Sequence, residues 1–208
     1  MTSPDRQTAL QAILRAKVHV QKGTLAALPT AEADRLRSPL DLGRRALWPL
    51  RRCPAALLWF WAEHPRGHLV IGPRQEGYRP GLQPVGRQPL DGVAWVPARA
   101  LTAQEVQLPL PVAHLLDHLL GSDGAPEGPW LSEGGGRSPA WQEVGRRLQR
   151  QFSLGYAPAE ATAEPRAYFA WGLRSFLADP VALNTVDPGL ERLLRTTLCS
   201  DEFWARSP

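Results

Sequence analysis

At six places in this chain a serine or aspartate is followed at once by proline, and four of these pairs open helical patterns. Ser3-Pro4, Ser38-Pro39, Ser138-Pro139 and Asp187-Pro188 each stand at the head of a stretch with helical apolar spacing. Serine or aspartate at the cap and proline at the first helical position are strong start signals, because proline's missing N–H has no partner there in any case. These pairs fix where helices begin, and prolines at 49, 54 and 180 fix where others stop. The chain is thereby cut into short elements. Its 18 glycines and 21 prolines among 208 residues exceed the usual level of about 12% for the two together.

The first helix runs through Leu10, Ile13, Leu14 and Val18 and ends near Gly23, with His19 inside it. The second runs through Leu42, Ala46 and Leu47. From Ala55 the pattern changes. Residues 55–63 (AALLWFWAE) and 68–71 read as the two strands of a β-hairpin turning at Pro65-Arg66-Gly67. Trp59 and Trp61 then share one strand face, as core or as a recognition surface. Residues 72–92 read as loop with short extended pieces, and 93–97 (VAWVP) as a further strand. Helices return at 111–120, 139–148, 165–178 and from 188 onward, with a long loop at 121–136. The expected class is α+β: a small antiparallel sheet packed with helices, divided into an N-terminal helical extension (1–53) and an α+β domain (54–208).

The formal charge is +4, and only Lys17 and Lys22 among the 24 basic residues are lysines. The longest apolar run, 55–62, is far short of the ~18–20 residues that span a bilayer, so no membrane partner is expected. No signal-peptide pattern opens the chain. Two cysteines, Cys53 and Cys199, cannot build a disulfide framework or a cysteine zinc site. A reducing, cytoplasmic location follows as the expectation, with a single Cys53–Cys199 bridge left open. Arg44, Arg45, Arg51 and Arg52, together with Arg146, Arg147 and Arg150, form a candidate basic patch for phosphates or nucleic acid. No RNA- or DNA-binding motif accompanies it.

His64 and His68 stand four apart, but across Pro and Gly, so they would face each other only over a tight turn. His114 and His118 stand four apart in PVAHLLDHLLG and share a helix face. The stripe Val112, Leu115, Leu116, Leu119 and Leu120 lies roughly opposite. The two histidines are thus expected to face water or a cleft, as metal ligands or simply as the wet face of an amphipathic helix.

VAHLLDHLLG at 112–121 and AYFAWGLRSFLADP at 167–180 resemble, in order, two helices of zinc peptidases of the anthrax-lethal-factor-like and Pro-Pro-endopeptidase kind. Those helices read roughly HELGHALDHLLG, and EYFAE followed by a hydrophobic stretch and Asp-Pro. The resemblance covers about residues 90–198, including the helix of Trp141. It implies a zincin-like fold in which the zinc-binding and catalytic positions have been replaced. In the register with most flanking identities, His114 matches the second zinc histidine. Leu110 and Pro111 then stand where the first histidine and the glutamate would be, and Ala167 and Trp171 where the two glutamates would be. In the other register His114 and His118 are both retained and Leu115 replaces the glutamate.

A catalytic zinc needs about three protein ligands and a base. The resemblance therefore implies a pseudo-metallopeptidase without catalytic residues, and no cofactor is expected. The former cleft, with His114, His118, Trp171 and Arg174, would bind a protein or peptide, or Trp171 would fill it. Two alternatives stand beside this. One is a residual zinc hydrolase using His114, His118 and Glu160 or Glu164. The other is arginine-mediated nucleic-acid binding.

Overall fold

The computed structural model describes residues 5–36, 38–159 and 161–206. In chain order the elements are α1 (Arg6–Ala16), β1 (Val18–Val20), the single turn α2 (Thr30–Ala33), α3 (Pro39–Leu47), α4 (Ala55–Glu63), β2 (His68–Gly72), β3 (Gly77–Val85) and β4 (Gln88–Pro97). There follow α5 (Leu110–Ser122), α6 (Pro139–Leu154), α7 (Pro165–Ala178), α8 (Pro180–Val186), α9 (Pro188–Thr196) and α10 (Asp201–Arg206). Prolines at the first turn open α3, α5, α6, α7, α8 and α9. The cap-and-proline signals at 38, 138 and 187 therefore mark true starts. Ser3 and Pro4 lie outside the described residues, and Asp5 caps α1 by accepting from the backbone N–H of Gln7. Asp179 both follows α7 and caps α8.

The architecture is α+β, as expected, but the sheet is mixed rather than antiparallel. Its order is β1-β2-β4-β3. The first two pairings are parallel and only β3–β4 is antiparallel. Two misread segments account for the difference. Residues 55–63 are a helix, not a hairpin strand. AALLWFWAE is apolar all round, so it has no alternation to read, and its alanines and leucines are strong helix formers. It is a core helix packed on α1 and α10. Trp61 is buried and Trp59 half-buried on different sides of it. The first helix stops at Ala16, and His19 sits in a strand. Val18 and Val20 pair with β2 there, as β-branched residues favour.

The stretch 77–85 is a full strand despite its prolines and glycines. It lies at the sheet edge, where a missing N–H costs little. The ladder shifts register between Arg79 and Leu82, around Gly81. One continuous core joins Ile13, Leu42, Leu50 and Leu58 to Leu69, Val96, Leu115, Phe169 and Leu194. Residues on both sides of position 53 therefore share the same interior. Val70, Leu90, Val93 and Trp95 form a second cluster, since neighbouring strand residues point to opposite faces. Among the described residues no helix is long and apolar enough to cross a membrane.

Candidate functional site

Helix α5 crosses the middle of the molecule, and ten of its thirteen residues are buried. Its polar side is not wet. After the left-handed Asp123, residues 124–136 fold back over it. The return is close: a Cβ on Gly121 would lie 2.4 Å from the Pro129 carbonyl oxygen and the Leu131 nitrogen, so only glycine admits it. From the other side β3 brings Tyr78.

The expectation that His118 faces water or a cleft is therefore corrected: the residue is fully buried. Its ring stacks on Trp130 with centroids 4.8 Å apart. Nε2 lies 2.9 Å from the Ala125 carbonyl oxygen and Nδ1 lies 2.8 Å from the Tyr78 hydroxyl. A carbonyl only accepts, so Nε2 carries the hydrogen. In the neutral ring Nδ1 then accepts from Tyr78. Burial lowers the histidine's pKa and holds this neutral form. Asp117, the residue before His118, is completely buried. It accepts from the backbone N–H of Ser132 at 2.8 Å and from its hydroxyl at 2.6 Å. Desolvation raises its pKa to about 7, against the opposing pull of those two bonds.

His114 is half-buried and stays closest to its expected role. Its Nδ1 is buried without a partner, and its ring meets the edge of Trp130. Burial lowers its pKa, with the Glu164 carboxylate pulling up and Arg166 pulling down. The ring borders two hollows. One is a groove of about 600 Å³ between α5, α7 and α8, lined by Leu110, Ala167, Trp171, Arg174 and Val186. It gathers four positions that sequence reasoning placed together: Leu110, Ala167, Trp171 and Arg174. Trp171 stacks obliquely on Tyr168 and lines the groove rather than plugging it. Arg174 is oriented by Gln107, whose Oε1 it reaches at 2.6 Å. Leu110 and Val186 are exposed at 36% and 48%, leaving apolar surface at the groove. The other hollow lies toward β3, between Tyr78, Trp130, Glu164 and the Glu133–Arg166 ion pair. Arg166 lies over the Trp130 ring, 4.2 Å from its centroid.

The arginine patch divides. Arg44, Arg45, Arg51 and Arg52 line a groove of about 650 Å³ beside exposed Trp48, with Glu105 as the one acid in its lining. Arg146 and Arg150 instead reach Glu143 on their own helix and, like Arg147, are not part of that lining. The four arginines are held rather than free. Arg45 donates to the carbonyls of Leu101 and Ala103, and Arg52 to those of Leu177 and Ala178. Arg51 lies over the Trp48 ring at 4.0 Å, and Arg44 pairs with Asp41. Gln107 and Ala178 border both this groove and the His114 groove, so the two adjoin.

These residues do not fit a zinc ion. Both nitrogens of His118 are spent on Tyr78 and Ala125. Leu110, Ala167 and Trp171 have no lone pair to give. That leaves His114 and, nearby, Glu164; Glu160 lies outside the described residues. Among the described residues no three His, Cys, Asp or Glu side chains are grouped to hold a metal. His64 and His68 do not face each other. His64 Nδ1 accepts from the Arg66 N–H, and His68 Nδ1 lies 3.2 Å from Nε2 of His19 across the β1–β2 pair.

Sequence reasoning missed Tyr78, Trp130 and Ser132, the partners that bury the polar side of α5. Their signal was long-range: a tyrosine in an edge strand and a Pro-Trp-Leu-Ser segment in a loop. No family model, curated protein or solved structure matches the chain.

Proposed function

We propose that this chain is a non-catalytic binding protein that takes an extended protein segment in the His114 groove. The observation that carries the reading is the groove itself, with Leu110, His114, Ala167, Trp171 and Arg174 on one open, mostly apolar surface. A half-buried tryptophan, an oriented arginine and exposed aliphatic side chains are common anchors of protein interfaces. The zincin resemblance supports the same reading. Its metal positions coincide with the groove lining, and the substitutions there replace metal ligands with apolar contacts. The adjoining arginine groove sets the chemistry of the partner: apolar side chains for the first groove and carboxylates for the second. We place the protein in the cytoplasm, where its two thiols stay reduced.

Selection of peptides from a random displayed library on the full-length protein tests this. The expected winners combine Leu, Phe or Val with Asp or Glu. A labelled winner should bind at least ten-fold more weakly to Trp171→Ala and to Leu110→Glu, with thermal stability retained. No enrichment, or equal binding by both variants, ends the reading.

Exposed Trp48 with Arg51 stacked on it favours a second reading, single-stranded nucleic acid held by stacking and phosphate contacts. Binding of a poly-uridine oligonucleotide that steepens at low salt and fails in Trp48→Ala, with no peptide enriched, would put that reading first.

A further inference from the structure

We propose that His19 and His68 form a two-histidine site for a divalent transition metal of the kind that imidazole prefers, copper(II) first. The two residues lie diagonally across the adjacent parallel strands β1 and β2, His19 standing opposite Val70. Side chains two apart on a strand share a face. His68 and Val70, and with them His19, therefore stand on the side of the sheet away from the main core, which takes Leu69 and Ile71 instead. The backbone that carries the pair is pinned on both sides. The Leu69 N–H donates to the Lys17 carbonyl at 2.8 Å and the Gln21 N–H to the Ile71 carbonyl at 2.9 Å. Nε2 of His19 lies 3.2 Å from Nδ1 of His68, and the ring centroids are 5.2 Å apart. An ion about 2.0–2.1 Å from each nitrogen would meet the two at an angle of about 100°, between the square-planar and tetrahedral values. Rings bonded to one ion at that angle would have centroids about 5 Å apart, close to the spacing seen.

Two neutral imidazoles joined by one hydrogen bond hold a single hydrogen between the facing nitrogens. Metal binding needs both of those lone pairs. The ring that donates therefore moves its hydrogen to its outer nitrogen, and no proton leaves the pair. Among the described residues neither outer nitrogen, Nδ1 of His19 or Nε2 of His68, has a hydrogen-bond partner, and both side chains are only half-buried, so water receives that hydrogen. Protons do not compete at neutral pH. Desolvation first, then Lys17 and His19, hold His68 at about 4, and desolvation, then Lys17, lowers His19. The Lys17 ammonium opposes a dication, but it is tied to the carbonyls of His64 and Arg66, and Asp91 acts in the other sense. Two protein ligands leave the remaining positions to water, so affinity is moderate, and copper(II) heads the order for such nitrogen ligands. A bound ion would bridge β1 to β2 and stabilise the fold by mass action. Neither histidine lines the His114 groove or the arginine groove, so this inference does not depend on what those grooves bind.

The test is titration of the full-length protein with copper(II) in a non-coordinating buffer at neutral pH, with pulsed electron paramagnetic resonance to count the bound imidazoles. The expected result is one equivalent of copper held by two imidazoles, with a Tm that rises as copper is added. Affinity should fall at least about ten-fold in His19→Gln and in His68→Gln, and the copper-dependent rise in Tm should vanish in both. Zinc(II) should bind more weakly than copper(II) and be lost in the same two variants. The imidazole count on the parent protein needs no variant, so the proposal stays falsifiable if a glutamine variant fails to fold. A single bound imidazole, parent-like copper affinity in either folded variant, or no copper bound at one equivalent would each overturn the proposal.

Discussion

The Tyr78 hydroxyl and Nδ1 of His118 meet at 2.8 Å, joining the edge strand β3 to the central helix α5. The bond has no substitute: the ring's other nitrogen is committed to Ala125. Tyr78→Phe leaves a buried acceptor unpaired and should cost about 1–3 kcal/mol, read as a lower urea midpoint with unchanged slope. His118→Phe removes acceptor and donor together but leaves the Ala125 carbonyl and the Tyr78 hydroxyl without partners. The double variant should cost less than the sum of the singles, as coupled partners do.

Asp117 makes stability fall as pH rises. Its folded pKa of about 7 stands above the ordinary 3.8, so between those values the folded state holds a proton that the unfolded state has released. Stability conferred by protonated Asp117 is complete below about pH 4 and lost by about pH 7. Asp117→Asn keeps both bonds to Ser132, with Oδ1 accepting from the N–H and Nδ2 donating to the hydroxyl. The variant should be more stable than the parent at pH 8, by on the order of 3 kcal/mol, with the gap closing toward pH 4. Chemical denaturation at several pH values measures it.

His68 acts in the opposite sense. Desolvation first, then Lys17 and His19, lower its pKa to about 4, while Asp91 pulls it up. The unfolded state takes up its proton near pH 6.5 and the folded state resists until about 4. Stability from neutral His68 is therefore full above about pH 6.5 and drains as pH falls toward 4. His68→Gln should remove that acid-side loss in the same denaturation series, leaving the opposite slope that Asp117 sets between about pH 4 and 7 in place.

Gly121→Ala tests the close return of the loop over α5. The added methyl would meet backbone atoms of Pro129 and Leu131 at 2.4 Å, which cannot rotate aside. The expected cost is about 1–3 kcal/mol or more. Tryptophan fluorescence should also shift as Trp130 lifts from His118.

How much of this was legible in the sequence depends on the range of the forces involved. The starts of α3, α6 and α9 were written in adjacent residues, Ser38-Pro39, Ser138-Pro139 and Asp187-Pro188, because capping is a matter of one turn. The helix of residues 55–63 was not, because a segment apolar on every side has no period to betray it. Nor was β3, whose Pro80, Gly81 and Pro84 argue for loop until its edge position is known. On the site, spacing put Ala167 with Trp171 and Arg174, since residues one or two turns apart share a helix face, while Leu110 was set beside His114 by the family resemblance. That α5 and α7 would share one groove came from the family resemblance rather than from spacing. The burial of His118 and Asp117 came from Tyr78, Trp130 and Ser132, and no local rule connects those residues to α5.

The grip of Arg52 on Leu177 and Ala178, and of Arg45 on Leu101 and Ala103, gives a chain so poor in lysine a distinct mechanical character. A planar guanidinium spans two carbonyls at once, whereas an ammonium is a single mobile point. Where a helix or turn ends in unsatisfied carbonyls, arginine acts as a rivet between segments remote in sequence. Swapping these two for lysine would keep the charge and loosen the joints. The walls of the arginine groove, which Arg45 and Arg52 themselves line, would then breathe.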